Sequence, residues 1–149
     1  MIDLLLAILH HLFVFGLVAI VASELVLVRP GIGAGQIRRI TTIDSLYGVF
    51  AGLIVAVGFA RVFYGAKGAD FFLGNPWFRA KMAAFVVVGV LSVLPTVRFI
   101  GWRRQLRQDP AFTPADAEVK TIRRIMHVEA TVLILIPVFA AAMVRPDAF

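Results

Sequence analysis

Residues 4–28 read LLLAILHHLFVFGLVAIVASELVLV, and within this run the ionisable side chains are His10, His11 and Glu24. A helix crosses the hydrocarbon core of a bilayer, about 30 Å thick, with about 20 largely apolar residues. This run is long enough, and Asp44–Tyr64, Phe78–Ile100 and Ile125–Val144 follow with the same character. The composition agrees. Of 149 residues, 60% are apolar and the mean hydropathy is +0.91, beyond the balance of an ordinary soluble domain. The expected fold is an all-α membrane protein, one four-helix transmembrane domain over residues 1–149. The opening Met1-Ile2-Asp3 lacks the basic region of a secretory signal, so the first run reads as a retained span.

The ends of the spans have chemical punctuation. Pro30-Gly31 stops the first helix, Asn75-Pro76 supplies N-cap and first position for the third, and Thr113-Pro114-Ala115-Asp116 has a capping-box form ahead of the fourth. The fourth helix is therefore expected to begin well before the bilayer. Pro137 is expected to kink or loosen its outer half.

Basic residues are unevenly distributed. The connector after the first span carries Arg29, Arg38 and Arg39. The connector after the third carries Arg103, Arg104, Arg107, Lys120, Arg123 and Arg124, whereas the middle connector has Lys67 and Arg79 set against Asp70. The positive-inside rule places the two arginine-rich connectors in the cytoplasm and both termini in the periplasm, in a bacterial inner membrane. The net charge of +6 belongs to these connectors and not to a separate basic domain, which argues against nucleic acid as a partner. The lipid bilayer is the partner that the composition demands. The absence of cysteine excludes iron–sulfur clusters, covalent c-type haem attachment and thiol nucleophiles.

Ionisable groups at membrane depth are costly and so mark functional sites by default. Orientation sorts them into two layers. His10, His11, Arg61 and Lys81 fall in the outer half, and Glu24, Asp44, His127 and Glu129 lie near the inner surface. His10 and Glu24 are about 21 Å apart along one helix, within about 40° of the same face. Adjacent residues point about 100° apart, so His10 and His11 cannot both bind one metal from their own helix. No His-x-x-x-His or Glu-x-x-His pattern supports zinc or di-iron. Haem asks for less: one imidazole for the iron, an apolar slot for the ring, and cations for the propionates. One of His10 and His11 supplies the ligand in this reading, Arg61 and Lys81 meet the propionates, and Met82 is a weaker second ligand. His127 is roughly 16 Å away in depth, too far for a shared haem.

Each of these residues also has a plainer reading. A membrane histidine commonly makes an interhelical hydrogen bond, Arg61 and Lys81 near helix ends can snorkel to headgroups, and Glu24 with His127 would make a structural pair. Phe71, Phe72, Trp77 and Phe78 suit an interfacial belt. Gly48 and Gly52 form a small-xxx-small pattern, for packing inside the bundle or for a homo-oligomer face.

The stretch Ala60-Arg61-Val62-Phe63-Tyr64-Gly65-Ala66-Lys67-Gly68-Ala69-Asp70-Phe71-Phe72, followed by Asn75-Pro76-Trp77-Phe78-Arg79-Ala80-Lys81, carries a resemblance. With Leu9-His10-His11-Leu12 and His127-Val128-Glu129, it resembles a family of uncharacterised bacterial four-helix membrane proteins over essentially the whole chain. A weaker similarity is to the HemJ-type protoporphyrinogen oxidases, small membrane proteins that bind haem b. It rests on an early histidine and on Trp77 followed four residues later by Lys81. That resemblance implies that His10 or His11 and Lys81 serve a haem b. The chain departs from that pattern after the first helix, where Arg29-Pro30 replaces a histidine-bearing segment. Two functions follow: a haem- or tetrapyrrole-binding membrane protein, redox-active if an enzyme, or a non-enzymatic small transporter or assembly subunit of a membrane complex using the inner polar layer.

Overall fold

The computed structural model describes residues 1–64 and 68–144, with 68, 69 and 71 described by backbone alone; Lys67, assigned to the outer connector, and the side chain of Phe71, assigned to the aromatic belt, lie outside the described residues. The regular structure among the described residues is helical: α1 (Ile2–Leu27), α2 (Ala34–Tyr64), α3 (Gly68–Gly74), α4 (Pro76–Gln108) and α5 (Asp116–Val144). All but α3 are long and apolar enough to cross a membrane. They form a four-membered ring. α1 packs chiefly on α2 and α4 on α5, while the α2–α4 and α1–α5 contacts that join these hairpins are slighter.

Local chemistry sets the ends. α1 stops at Leu27, the Val28 N–H closes on the Glu24 carbonyl, and Gly31 turns with φ of 79°, in the left-handed region that glycine enters without steric cost. The Asn75 side chain accepts from the backbone N–H groups of Trp77 (2.9 Å) and Phe78 (3.4 Å), with Pro76 in the first turn, as its sequence position predicts. The middle connector contains a helical segment, α3, that was expected only as a link.

The start of α5 differs from expectation. Thr113 is not the cap; the helix opens at Asp116, and Ala115 carbonyl takes the Val119 N–H. A capping box needs the reach of Glu or Gln at its fourth position. Asp116 is shorter, and its carboxylate instead accepts the Gly31 N–H at 3.0 Å, tying α5 to the α1–α2 turn. The helix does begin well before Ile125, and it runs on through Pro137.

The end of the bundle nearest these turns is the better packed. Val28, Ile37, Ile40, Phe99, Trp102, Val119 and Met126 make one buried cluster there. Arg123 donates two hydrogen bonds, to the carbonyls of Leu25 (2.7 Å) and Val28 (2.6 Å), and so satisfies carbonyls that the end of α1 leaves without helical partners. Trp102 indole N–H and the Arg98 guanidinium both meet Glu118.

Outside this core, exposed apolar stripes run down each long helix and end in cations. Phe15, Val18 and Val26 lead to Arg29; Leu53, Val49 and Leu46 to Arg39; Val93, Val97 and Ile100 to Arg104 and Arg107; Val138, Leu135 and Val128 to Arg124 and Lys120. Within each helix, spacings of three, four, seven and eight residues keep the series near one face.

Halfway along, α1 and α2 approach closely at Gly16. A Cβ there would run into the Phe50 ring, which stacks edge-on with Phe13 at 5.9 Å. Gly16→Val should therefore lower stability by about 1–3 kcal/mol through overpacking, read as a lower midpoint in a denaturant titration of the detergent-solubilised protein. Adding Phe50→Ala should recover much of the loss. A Gly16→Val protein as stable as the parent would contradict this packing.

Candidate functional site

The half of the bundle away from the arginine-rich turns, expected from the sequence to be the outer one, holds a cavity. It is about 480 Å³ and lies between the four long helices, within the 300–1,000 Å³ of small-molecule pockets. Val14, Ile54, Phe59, Val62, Phe78, Phe85 and Ile136 give it apolar walls, and His10, Lys81 and Met82 reach it as well.

The two histidines part company as helix geometry requires. His10 is half-buried on the cavity side against Gly58, where even a Cβ would stand 3.6 Å from its ring. Its Nδ1 is buried with no hydrogen-bond partner. His11 is exposed, and its Nδ1 lies 2.6 Å from the Ala7 carbonyl one turn back.

Lys81 turns inward and its ammonium lies 4.9 Å from the centre of the Phe78 ring. Lys81 and Arg61 are both electrostatic neighbours of His10. Arg61 does not line the cavity, and its buried Nε has no partner. The outer layer expected from the sequence is thus brought together, with His11 turned away. Positive charge gathers there beside an apolar space, an arrangement suited to a flat apolar molecule with acidic substituents.

The inner layer assembles in part. Glu24, Asp44 and Glu129 are 5%, 8% and 3% exposed, and Asp44 accepts a 2.7 Å hydrogen bond from the Thr96 hydroxyl. Tyr47, buried on the same helix one turn from Asp44, joins them as an electrostatic neighbour of Glu129 and Glu24. Its place was legible, because Tyr47 follows Asp44 by three residues on one helix face. His127 does not join. It is exposed, two residues from Glu129 and so about 200° around the helix, which rules out the expected Glu24–His127 pair.

Between the layers lie Leu17, Ile54, Val88 and Leu133, all buried. Among the described residues no three His, Cys, Asp or Glu side chains converge to hold a metal ion. Gly48 and Gly52 are exposed, and a Cβ on either would meet nothing within 4 Å, so they do not serve packing inside the bundle. Gly48 instead edges a shallower cleft of about 340 Å³ between α2 and α4, beside Asp44, Ser92 and Thr96.

The family described as Predicted membrane protein (DUF2214) matches residues 2–146. The chain belongs to this family. That membership agrees with four apolar helices and a bilayer environment. No curated protein and no solved structure matches the chain. For this member of the DUF2214 family, functional reading therefore rests on its own side chains.

Proposed function

We propose that this protein binds haem b or a related tetrapyrrole in the outer half of its bundle. One observation carries the reading: His10 presents a buried, unpartnered ring nitrogen beside an apolar cavity of about 480 Å³ that Lys81 and Met82 also line. A buried polar atom without a partner is costly in an apolar interior. A metal ion in the ring of the ligand would satisfy it. His10 would thus hold the iron of such a group, with Met82 at the same cavity as the candidate for a second contact.

Lys81 and Arg61 would hold the propionate carboxylates through charge-assisted hydrogen bonds. The phenylalanine side chains of the walls would keep water from the site. The bound group would supply one-electron chemistry, with its potential tuned by the axial ligands and the low polarity of the walls. If the bound group is redox-active, the protein is a haem-dependent membrane oxidoreductase in this reading.

The purified protein, expressed with a haem supply, should show a Soret band. His10→Ala should abolish it and His11→Ala should leave it. Lys81→Ala should weaken haem binding about tenfold or more, the equivalent of a hydrogen bond to a charged group of about 1.5–3 kcal/mol. A wild-type protein with no Soret band, or a band that survives His10→Ala unchanged, overturns the proposal.

The site faces the periplasm of a bacterial inner membrane in this reading. The support is the cationic end of every exposed apolar stripe, where Arg29, Arg39, Arg104, Arg107, Lys120 and Arg124 suit the cytoplasmic headgroups. The chain has no cysteine, so single replacements report cleanly. On intact spheroplasts, a membrane-impermeant maleimide should label Leu73→Cys and spare Ala111→Cys. The opposite pattern would invert the topology.

A further inference from the structure

Among the described residues, the wall of the large cavity reaches the outside of the bundle on one side. Of the side chains that α1 and α5 give to the wall, Leu17 and Leu133 are buried and His10, Val14 and Ile136 half-buried. None of them is exposed. The other helices differ: Phe59 and Phe63 of α2, Leu73 of α3 and Met82 of α4 also line the cavity, yet are 56%, 65%, 62% and 37% exposed. A side chain that lines a cavity and is exposed as well marks its mouth. The mouth therefore lies along the seam between α2 and α4, where the two hairpins meet loosely. Both helices are long and apolar enough to cross a membrane, so this mouth opens on lipid.

The surroundings hold the mouth in place. α3 packs on α2 and α4 and on no other described helix, with the Phe72 ring 5.5 Å from that of Phe78, and so bridges the seam at one end. Across the bundle, the start of α4 is tied to α5: the Asn75 amide donates to the Met143 carbonyl at 3.3 Å, and Trp77 stacks on Phe139 at 6.2 Å. Away from α3, the seam continues as the cleft of about 340 Å³, which shares Phe85 with the cavity. Gly48 and Gly89 keep that cleft open, since a Cβ on either would meet nothing within 4 Å.

The two ends of this track differ in charge. Near α3, Arg79 and Lys81 both line the cavity, and among the described residues neither has a carboxylate partner. Beyond Phe85 the walls are mostly apolar, with Val88 and Val93 leading to Ser92. From Lys81 to Ser92, α4 rises about 16 Å, roughly half of a hydrocarbon core about 30 Å thick. That is the depth of one lipid leaflet.

We propose that the cavity takes its ligand from the bilayer, through the mouth between α2 and α4, and that this ligand is a lipid-dissolved acid. Its carboxylate meets Lys81, and its apolar body lies in the cavity and along the seam. The proposal rests on reading the cavity as a ligand site, and adds the class of the ligand and its route. A haem with its propionates belongs to this class, and so does a long-chain fatty acid.

A fatty acid with a mid-chain diazirine, dissolved in the lipid of nanodiscs that hold the full chain, tests the proposal by photo-crosslinking and peptide mass spectrometry. Crosslinks should concentrate in the peptides around Phe59 and Phe63 and around Met82 and Phe85, and excess unlabelled fatty acid should displace them. Lys81→Ala should weaken this capture about tenfold, as the loss of a hydrogen bond to a charged group does. Lys120→Ala, at the other end of the bundle, should leave it unchanged. Crosslinks spread over the outward faces of all four long helices, and not displaced by unlabelled acid, overturn the proposal. Displacement in the wild-type protein decides even if Lys81→Ala fails to fold. Displaceable crosslinks from a protein without a Soret band support this proposal and end the haem reading. A Soret band with dispersed, undisplaced crosslinks does the reverse.

Discussion

A polar side chain carried into lipid has to find a partner or an interior, and that requirement organises this protein. Glu24, Asp44 and Glu129 all turn into the bundle, and His10, Arg61 and Lys81 are half-buried around its outer half. His11 is left on the outside, where its Nδ1 can reach the Ala7 carbonyl of its own helix. Because lipid tails are as apolar as Leu or Val, burying apolar surface does little to hold membrane helices together. Close approach and polar contact must do that work, as in Gly16 against Phe50, Thr96 to Asp44, and Arg123 to the end of α1.

These contacts are not spread evenly, and the unevenness gives the molecule two ends of different character. Near the arginine-rich turns, Trp102, Phe99 and Met126 fill the interior and Arg123 and Asp116 tie separate helices to one another. Toward the other end the helices leave a cavity that only its walls define. A firm base with a hollow top suits a protein that holds a rigid ligand, since ligand and packing then complete the same interior.

The helical class and the number of membrane-crossing helices were legible because four apolar runs of the right length leave little choice. The Asn75-Pro76 cap was legible for the same local reason. What escaped was set by partners distant in sequence. Asp116 was given to a capping box, yet its carboxylate meets the N–H of Gly31. Gly48 and Gly52 carry a packing pattern, but the ring of helices sends that face outward. The depth argument grouped His127 with Glu129 correctly by level. It ignored rotation, and two residues on a helix point nearly opposite ways. The same rotation rule applied to His10 and His11 did separate them, and with Asp44 it would have found Tyr47.

The central claim is that the outer cavity is a binding site distinct from the inner acidic group. Hydrogen–deuterium exchange of the full chain in nanodiscs, with and without added haem, tests it directly. Protection should rise in peptides around His10, Gly58 and Lys81, while those around Glu24, Asp44 and Glu129 stay unchanged. Haem-dependent protection confined to the inner peptides, or none anywhere, would contradict it.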